Sequence, residues 1–193
     1  LDVFYLIDAS NSLAQTDKSN KRKEIIQQDI KRWADLEKLK PGLEIKISGA
    51  LFNSSTRSMS NGWQELTQIN AESLAEEFTK SINNSNLRNY TNWKAGLQRA
   101  FEEVKDSEAA CKAVIWFTDG GLWSPYANRL DSLKDLEDLC GPAEKGDVTR
   151  GSSDQGLMAK IRRAGIHVYG ILLHDPNQKQ GNQEQERDDQ FYR

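Results

Sequence analysis

Asp8, Ser10 and Ser12 stand on alternate positions directly after the apolar run Val3-Phe4-Tyr5-Leu6-Ile7. In an extended segment, alternate side chains leave on the same face. One carboxylate and two hydroxyls therefore converge at the end of a buried strand. Oxygen donors of this kind suit a hard divalent cation such as Mg2+. Taken alone, the three residues also fit a helix N-cap followed by surface serines. Two further segments carry matching chemistry. Phe117-Thr118-Asp119-Gly120-Gly121 brings Asp119 off a second apolar run, with two glycines to permit a tight turn. Asn89-Tyr90-Thr91-Asn92-Trp93 precedes a helical pattern, for which Thr91 or Asn92 is a suitable N-cap.

The elements that must position these residues follow from the apolar periodicity. Strands are expected over 3–7, 43–52, 113–118 and 166–173, with a short extra strand at 56–59. Helices are expected over 18–39, 71–82, 93–104, 128–139 and 155–163. Pro41-Gly42 stops the first helix and Gly165 the last. Strands alternating with helices imply an α/β fold: three layers, doubly wound, with a mostly parallel sheet flanked by helices. Ligands of such sheets sit at the carboxyl ends of the strands, which is where Asp8 and Asp119 fall.

The first helix carries Lys18, Lys21, Arg22, Lys23, Lys31 and Arg32 among acidic residues, which reads as a solvated face. Ile25, Ile26, Ile30, Trp33 and Leu36 should face the sheet. His167 reads as a core or sheet-face residue rather than a ligand. The Gly/Ser-rich stretch 141–154 reads as a long loop, and 175–193 as a polar tail that could begin a further helix. The expected organisation is one domain over 1–174 followed by that tail.

Asp8-x-Ser10-x-Ser12, then Thr91 before a helix, then Thr118-Asp119-Gly120 resembles, in this order, the von Willebrand factor A domain family, which includes the integrin I domains. The resemblance extends from Val3 to Leu173, including Ile161-Arg162-Arg163-Ala164-Gly165-Ile166-His167-Val168-Tyr169-Gly170-Ile171. It implies a metal ion-dependent adhesion site. Ser10 and Ser12 would bind the metal through their hydroxyls, and Thr91, Asp8 and Asp119 directly or through water. Mg2+ or Mn2+ is implied ahead of Ca2+. The implied function is metal-dependent binding of a protein, or secondarily a glycan, whose Asp or Glu completes the coordination. Two carboxylates balance a divalent ion, while neutral hydroxyl ligands leave it electrophilic. Asn11, Asn92, Trp123 and Tyr126 are candidates for the ligand-binding rim. Asn92 stands where many members of the family have aspartate.

Cys111 begins the strand that leads to Asp119, and Cys140 ends the helix expected to run back beside it. Seven strand residues rise roughly 23 Å and 14 helical residues descend roughly 21 Å, so the two end at a similar level. A disulfide is open, with two buried thiols as the alternative. A cysteine ahead of Ile115-Trp116-Phe117-Thr118-Asp119-Gly120, with Leu139-Cys140-Gly141 before the last helix, resembles secreted or surface-anchored A-domain proteins of Gram-positive actinobacteria. The resemblance implies an extracellular or cell-surface location, with the cytoplasm as the alternative.

The 193 residues suit one domain. A net charge of -3 gives no general electrostatic case for nucleic acid. No apolar stretch approaches the roughly 20 residues of a membrane span, so membrane association is expected only through regions outside this chain. The rival reading is a Mg-dependent phosphohydrolase of the haloacid dehalogenase type, with Asp8 as nucleophile. That chemistry needs an aspartate two positions on, where Ser10 stands. A phosphate-binding GxxxxGK[ST] loop is absent. A module with an unoccupied site is the third reading, and the expectation is that the chain is not an enzyme.

Overall fold

The structure is a computed structural model and describes residues 1–83, 91–119, 138–139, 143–144, 147–151 and 155–173. Its elements in order are β1 (Asp2–Asp8), α1 (Leu13–Thr16), α2 (Lys21–Leu39), β2 (Lys46–Phe52), β3 (Thr56–Ser58) and β4 (Gln64–Glu65). There follow α3 (Ala71–Asn83), α4 (Trp93–Val104), β5 (Lys112–Thr118), β6 (Ala143–Glu144), β7 (Asp147–Gly151), α5 (Gly156–Arg163) and β8 (Ile166–Leu172).

β1 is the centre of a six-stranded sheet ordered β3-β2-β1-β5-β8, with β4 also paired to β2. The β1/β2, β1/β5 and β5/β8 pairs are parallel. β3 and β4 add to β2 antiparallel. Since β1 is covered on both faces, its run Val3–Ile7 is apolar throughout rather than alternating. Val3, Tyr5 and Ile7 point to one side, where Ile26 and Ile30 of α2 and Leu74, Phe78 and Ile82 of α3 pack. Phe4 and Leu6 point to the other, against Leu97, Ala100 and Val104 of α4 and Leu157 and Ile161 of α5. This is the three-layer, mostly parallel architecture expected from the alternating pattern.

Gly49 shows how closely the layers approach. It pairs with Tyr5 across β1/β2. A Cβ there would lie 2.8 Å from the Tyr5 carbonyl oxygen and 2.9 Å from Phe78 Cε1. The Tyr5 and Phe78 rings already meet edge to face, with centroids 5.7 Å apart. Backbone on one side and a packed aromatic on the other leave no room to yield. Gly49→Ala should therefore cost about 2–3 kcal/mol of stability, read as a lower urea midpoint at unchanged m-value. A midpoint equal to that of the parent protein would show that the two strands separate more easily than their packing implies.

Several expectations require correction. The helix expected over 18–39 is preceded by the separate α1, and the strand expected over 43–52 begins at Lys46. Within the stretch read as a loop, β6 and β7 pair antiparallel. Arg22 is not part of a solvated face but is buried. Cys111 is a free, exposed cysteine rather than half of a disulfide: it lies just ahead of β5, where its carbonyl accepts from Asp2 N at 3.0 Å. Cys140, its expected partner, lies outside the described residues. So do Trp123, Tyr126, the tail 175–193, and the helix expected over 128–139 apart from its last two residues. His167 is exposed on β8.

Candidate functional site

The carboxyl ends of the two central strands place Asp8 beside Thr118. Ile7 pairs with Phe117 across β1/β5, and the next residues along bond through their side chains. Thr118 Oγ1 donates to Asp8 Oδ2 at 3.1 Å, and Ser10 N donates to Asp8 Oδ1 at 2.8 Å. Asp8 is wholly buried, at 0% relative exposure. Burial is the main cause that pushes its carboxyl up to about 7, and the nearby charge of Asp119 adds to it; the hydrogen bonds from Ser10 and Thr118 oppose both.

Beyond Asp8 the chain leaves the sheet and turns into α1. Ser10 is buried, Ser12 is exposed, and their Oγ atoms lie 3.0 Å apart. Asn11 between them is exposed. At the end of α1, Thr16 Oγ1 lies 3.0 Å from Asp119 Oδ2 and 3.1 Å from the Ser12 carbonyl, and donates towards both. Thr16 thus ties the loop after β1 to the loop after β5. The other oxygen of Asp119, Oδ1, is buried and accepts no hydrogen bond from the described residues.

Thr91 reaches the same end of the sheet through α4. Asn92 N donates to the Asn53 carbonyl at 2.8 Å, immediately after β2. One turn on, Gly96 lies against Phe52, whose Cγ would be 2.9 Å from an added Cβ. Phe52 is the partner of Asp8 across β1/β2. Thr91 itself is buried, at 3% exposure. Asn92 caps α4: its Oδ1 accepts from Ala95 N at 2.9 Å, so that oxygen serves the helix. Trp93 packs edge to face on Trp116, centroids 5.0 Å apart, which fixes the start of α4 over β5.

The donors assembled here are two carboxylates and hydroxyls, and among the described residues no group of three His, Cys, Asp or Glu side chains could hold a metal. The residues fit a hard divalent cation. An orphaned carboxylate oxygen lies close to a wholly buried carboxylate whose charge it disfavours, and a cation would relieve both. Thr16 and Asp17 carry no local motif that marks them, Thr118 stands in the sequence only as the residue ahead of Asp119, and Arg22 only as one of several cations of its helix.

No family model matches the sequence, and no curated protein matches it. Solved structures do. The PilB minor pilin from Streptococcus sanguinis aligns with 99% of this chain and 59% of its own, at TM-score 0.56 and 14% identity. The pilus adhesin SpaC from Lactobacillus rhamnosus GG, in an open conformation, aligns with 99% of this chain and 26% of its own, at TM-score 0.54 and 13% identity. Proximal thread matrix protein 1 from the mussel byssus, with a zinc-occupied MIDAS motif, aligns with 88% of this chain and 35% of its own, at TM-score 0.51 and 16% identity. Likeness at these identities is likeness of fold, and the chain spans less than two thirds of each of these proteins. With the strand order and the helices on both faces, the class is settled: the chain has a von Willebrand factor A-like fold.

Proposed function

We propose that this chain is a metal-dependent interaction domain working outside the cell or at its surface. Asp8, Ser10, Ser12, Thr91 and Asp119 would hold Mg2+ or Mn2+, and a carboxylate of a protein partner would complete the coordination. The observation that carries this reading is the buried Asp119 Oδ1, without a partner among the described residues, near the wholly buried Asp8. That a minor pilin, a pilus adhesin and a byssus matrix protein share the fold supports an adhesive role and an external location. The byssus protein takes zinc in its motif. Here the candidate donors are all oxygen, with no His or Cys among them, which favours Mg2+ or Mn2+.

When bound, the cation supplies a Lewis-acidic point of attachment for an acidic group. The protein's own residues prepare that attachment. Thr118 and Ser10 N fix both oxygens of Asp8. Thr16 fixes one oxygen of Asp119 and leaves the other free. Both oxygens of Asp8 accept hydrogen bonds and the residue is sealed from solvent, which disfavours its use as a phosphoryl-accepting nucleophile.

The test is thermal unfolding in EDTA and with millimolar Mg2+ or Mn2+. Either metal should raise the melting temperature by mass action, about 2.7 kcal/mol at a hundredfold excess over Kd. In Asp119→Ala the shift should vanish while the fold is retained. An unchanged melting temperature for the parent protein in both metals would dismiss the site.

A further inference from the structure

The turn between α1 and α2 holds a buried ion pair that the five proposed ligands do not explain. Asp17 and Arg22 are 5% and 3% exposed. Arg22 Nη1 donates to Asp17 Oδ2 at 3.0 Å, and Lys21 N donates to Asp17 Oδ1 at 2.5 Å. The turn is made by Asn20, whose φ of +54° is left-handed, a conformation that asparagine tolerates better than most residues. Arg22 Nε is buried with no acceptor among the described residues, so Asp17 does not use the whole guanidinium.

The pair adjoins the site. Thr16, which donates to Asp119, directly precedes Asp17. Burial is the main influence on Arg22 and disfavours its charge; the carboxylates of Asp17, then Asp8 and Asp119, support it. Counted at full charge, the three carboxylates and one guanidinium of this cluster sum to two negative charges, the number that one divalent cation neutralises.

We propose that Arg22 is a resident counter-cation that sets the strength of metal binding: Asp17 holds it back from Asp8 and Asp119, and its charge lowers the attraction of those carboxylates for the metal. This rests on the metal-site reading above. Without metal, Arg22 partly offsets the repulsion between the two carboxylates. With metal, it moderates the affinity, so that the site exchanges its ion. Arg22 is thus a positioning residue, acting through the field it adds.

The experiment is calorimetric titration of Mg2+ and Mn2+ into the parent protein, Arg22→Gln, Arg22→Lys and Asp17→Asn. Arg22→Gln should bind metal at least about tenfold more tightly, because a buried positive charge has gone. Asp17→Asn should bind about tenfold more weakly, since Arg22 then has only Asp8 and Asp119 to neutralise. Arg22→Lys, which keeps the charge, should stay within about twofold of the parent. Opposite signs in the two charge-removing variants distinguish this role from packing, which would weaken binding in both. Should Arg22→Gln not fold, Asp17→Asn and Arg22→Lys decide: weakened against parental affinity supports the proposal, and equal affinities overturn it. Metal binding by the parent with unmoved affinities in the variants overturns this proposal alone. No binding by the parent overturns it together with the metal site.

Discussion

Asp8→Asn should raise the melting temperature of the metal-free protein at pH 8 and abolish its response to Mg2+. Most substitutions of a wholly buried polar residue destabilise, so the sign is diagnostic. At that pH the native carboxylate is charged, out of water, and near the charge of Asp119, which together push it up to about 7. A shift of that size from an ordinary aspartate corresponds to at most about 4 kcal/mol of strain in the charged form. Asparagine removes the charge and keeps the shape. Its Oδ1 still accepts from Ser10 N, and Thr118 Oγ1 turns from donor to acceptor for the new amide. A gain of even half that energy raises the melting temperature by about 4–8 °C in a chain of this size. The same change removes one of the two charges that would balance a divalent ion, so the Mg2+ shift disappears. The measurement is scanning fluorimetry in EDTA and in Mg2+. If the variant melts below the parent in EDTA, Asp8 is stabilised by its surroundings, and the argument for a cation-shaped gap in charge fails.

Much of this site was legible because it lies where short-range patterns are strongest. The apolar run into Asp8, its counterpart into Asp119 and the helix beginning at Trp93 are each local, and α4 starts and ends where its pattern does. Long-range contacts left no such mark. Thr16 meets Asp119 across 103 positions of sequence, and only the fold puts α1 beside the loop after β5. Arg22 was within reach. It stands four residues before Ile26, which stands four before Ile30, so it extends the buried row of α2 by one turn. Its charge points to a solvated face, while its helical position places it on the buried one. β4 escaped because two residues carry no periodicity, and the β6/β7 pair because its Gly and charged composition resembles a loop.

Acidification should stabilise the metal-free protein, and saturating Mg2+ should cancel that gain. The folded-state value of Asp8 is raised from 3.8 to about 7, so the folded state binds this proton more tightly than the unfolded chain. Above pH 7 the carboxylate is ionised in both states and the destabilisation is complete. Between pH 7 and about 4 the folded state takes up a proton that the unfolded chain does not, and stability rises as pH falls, by up to about 1.4 kcal/mol per unit. Below the unfolded value both states are protonated and nothing more is gained. A cation on Asp8 favours its ionised form, so the metal-bound protein lacks this uptake, and metal affinity falls up to about tenfold per unit below pH 7. Other carboxylates titrate in the same range, and Asp8→Asn serves to subtract them. Melting temperatures between pH 8 and 5 in EDTA should climb more steeply for the parent than for Asp8→Asn, and the two slopes should converge in Mg2+. Parallel slopes in EDTA would mean that Asp8 carries an ordinary proton, and with it an ordinary environment in which a divalent cation has little charge to relieve.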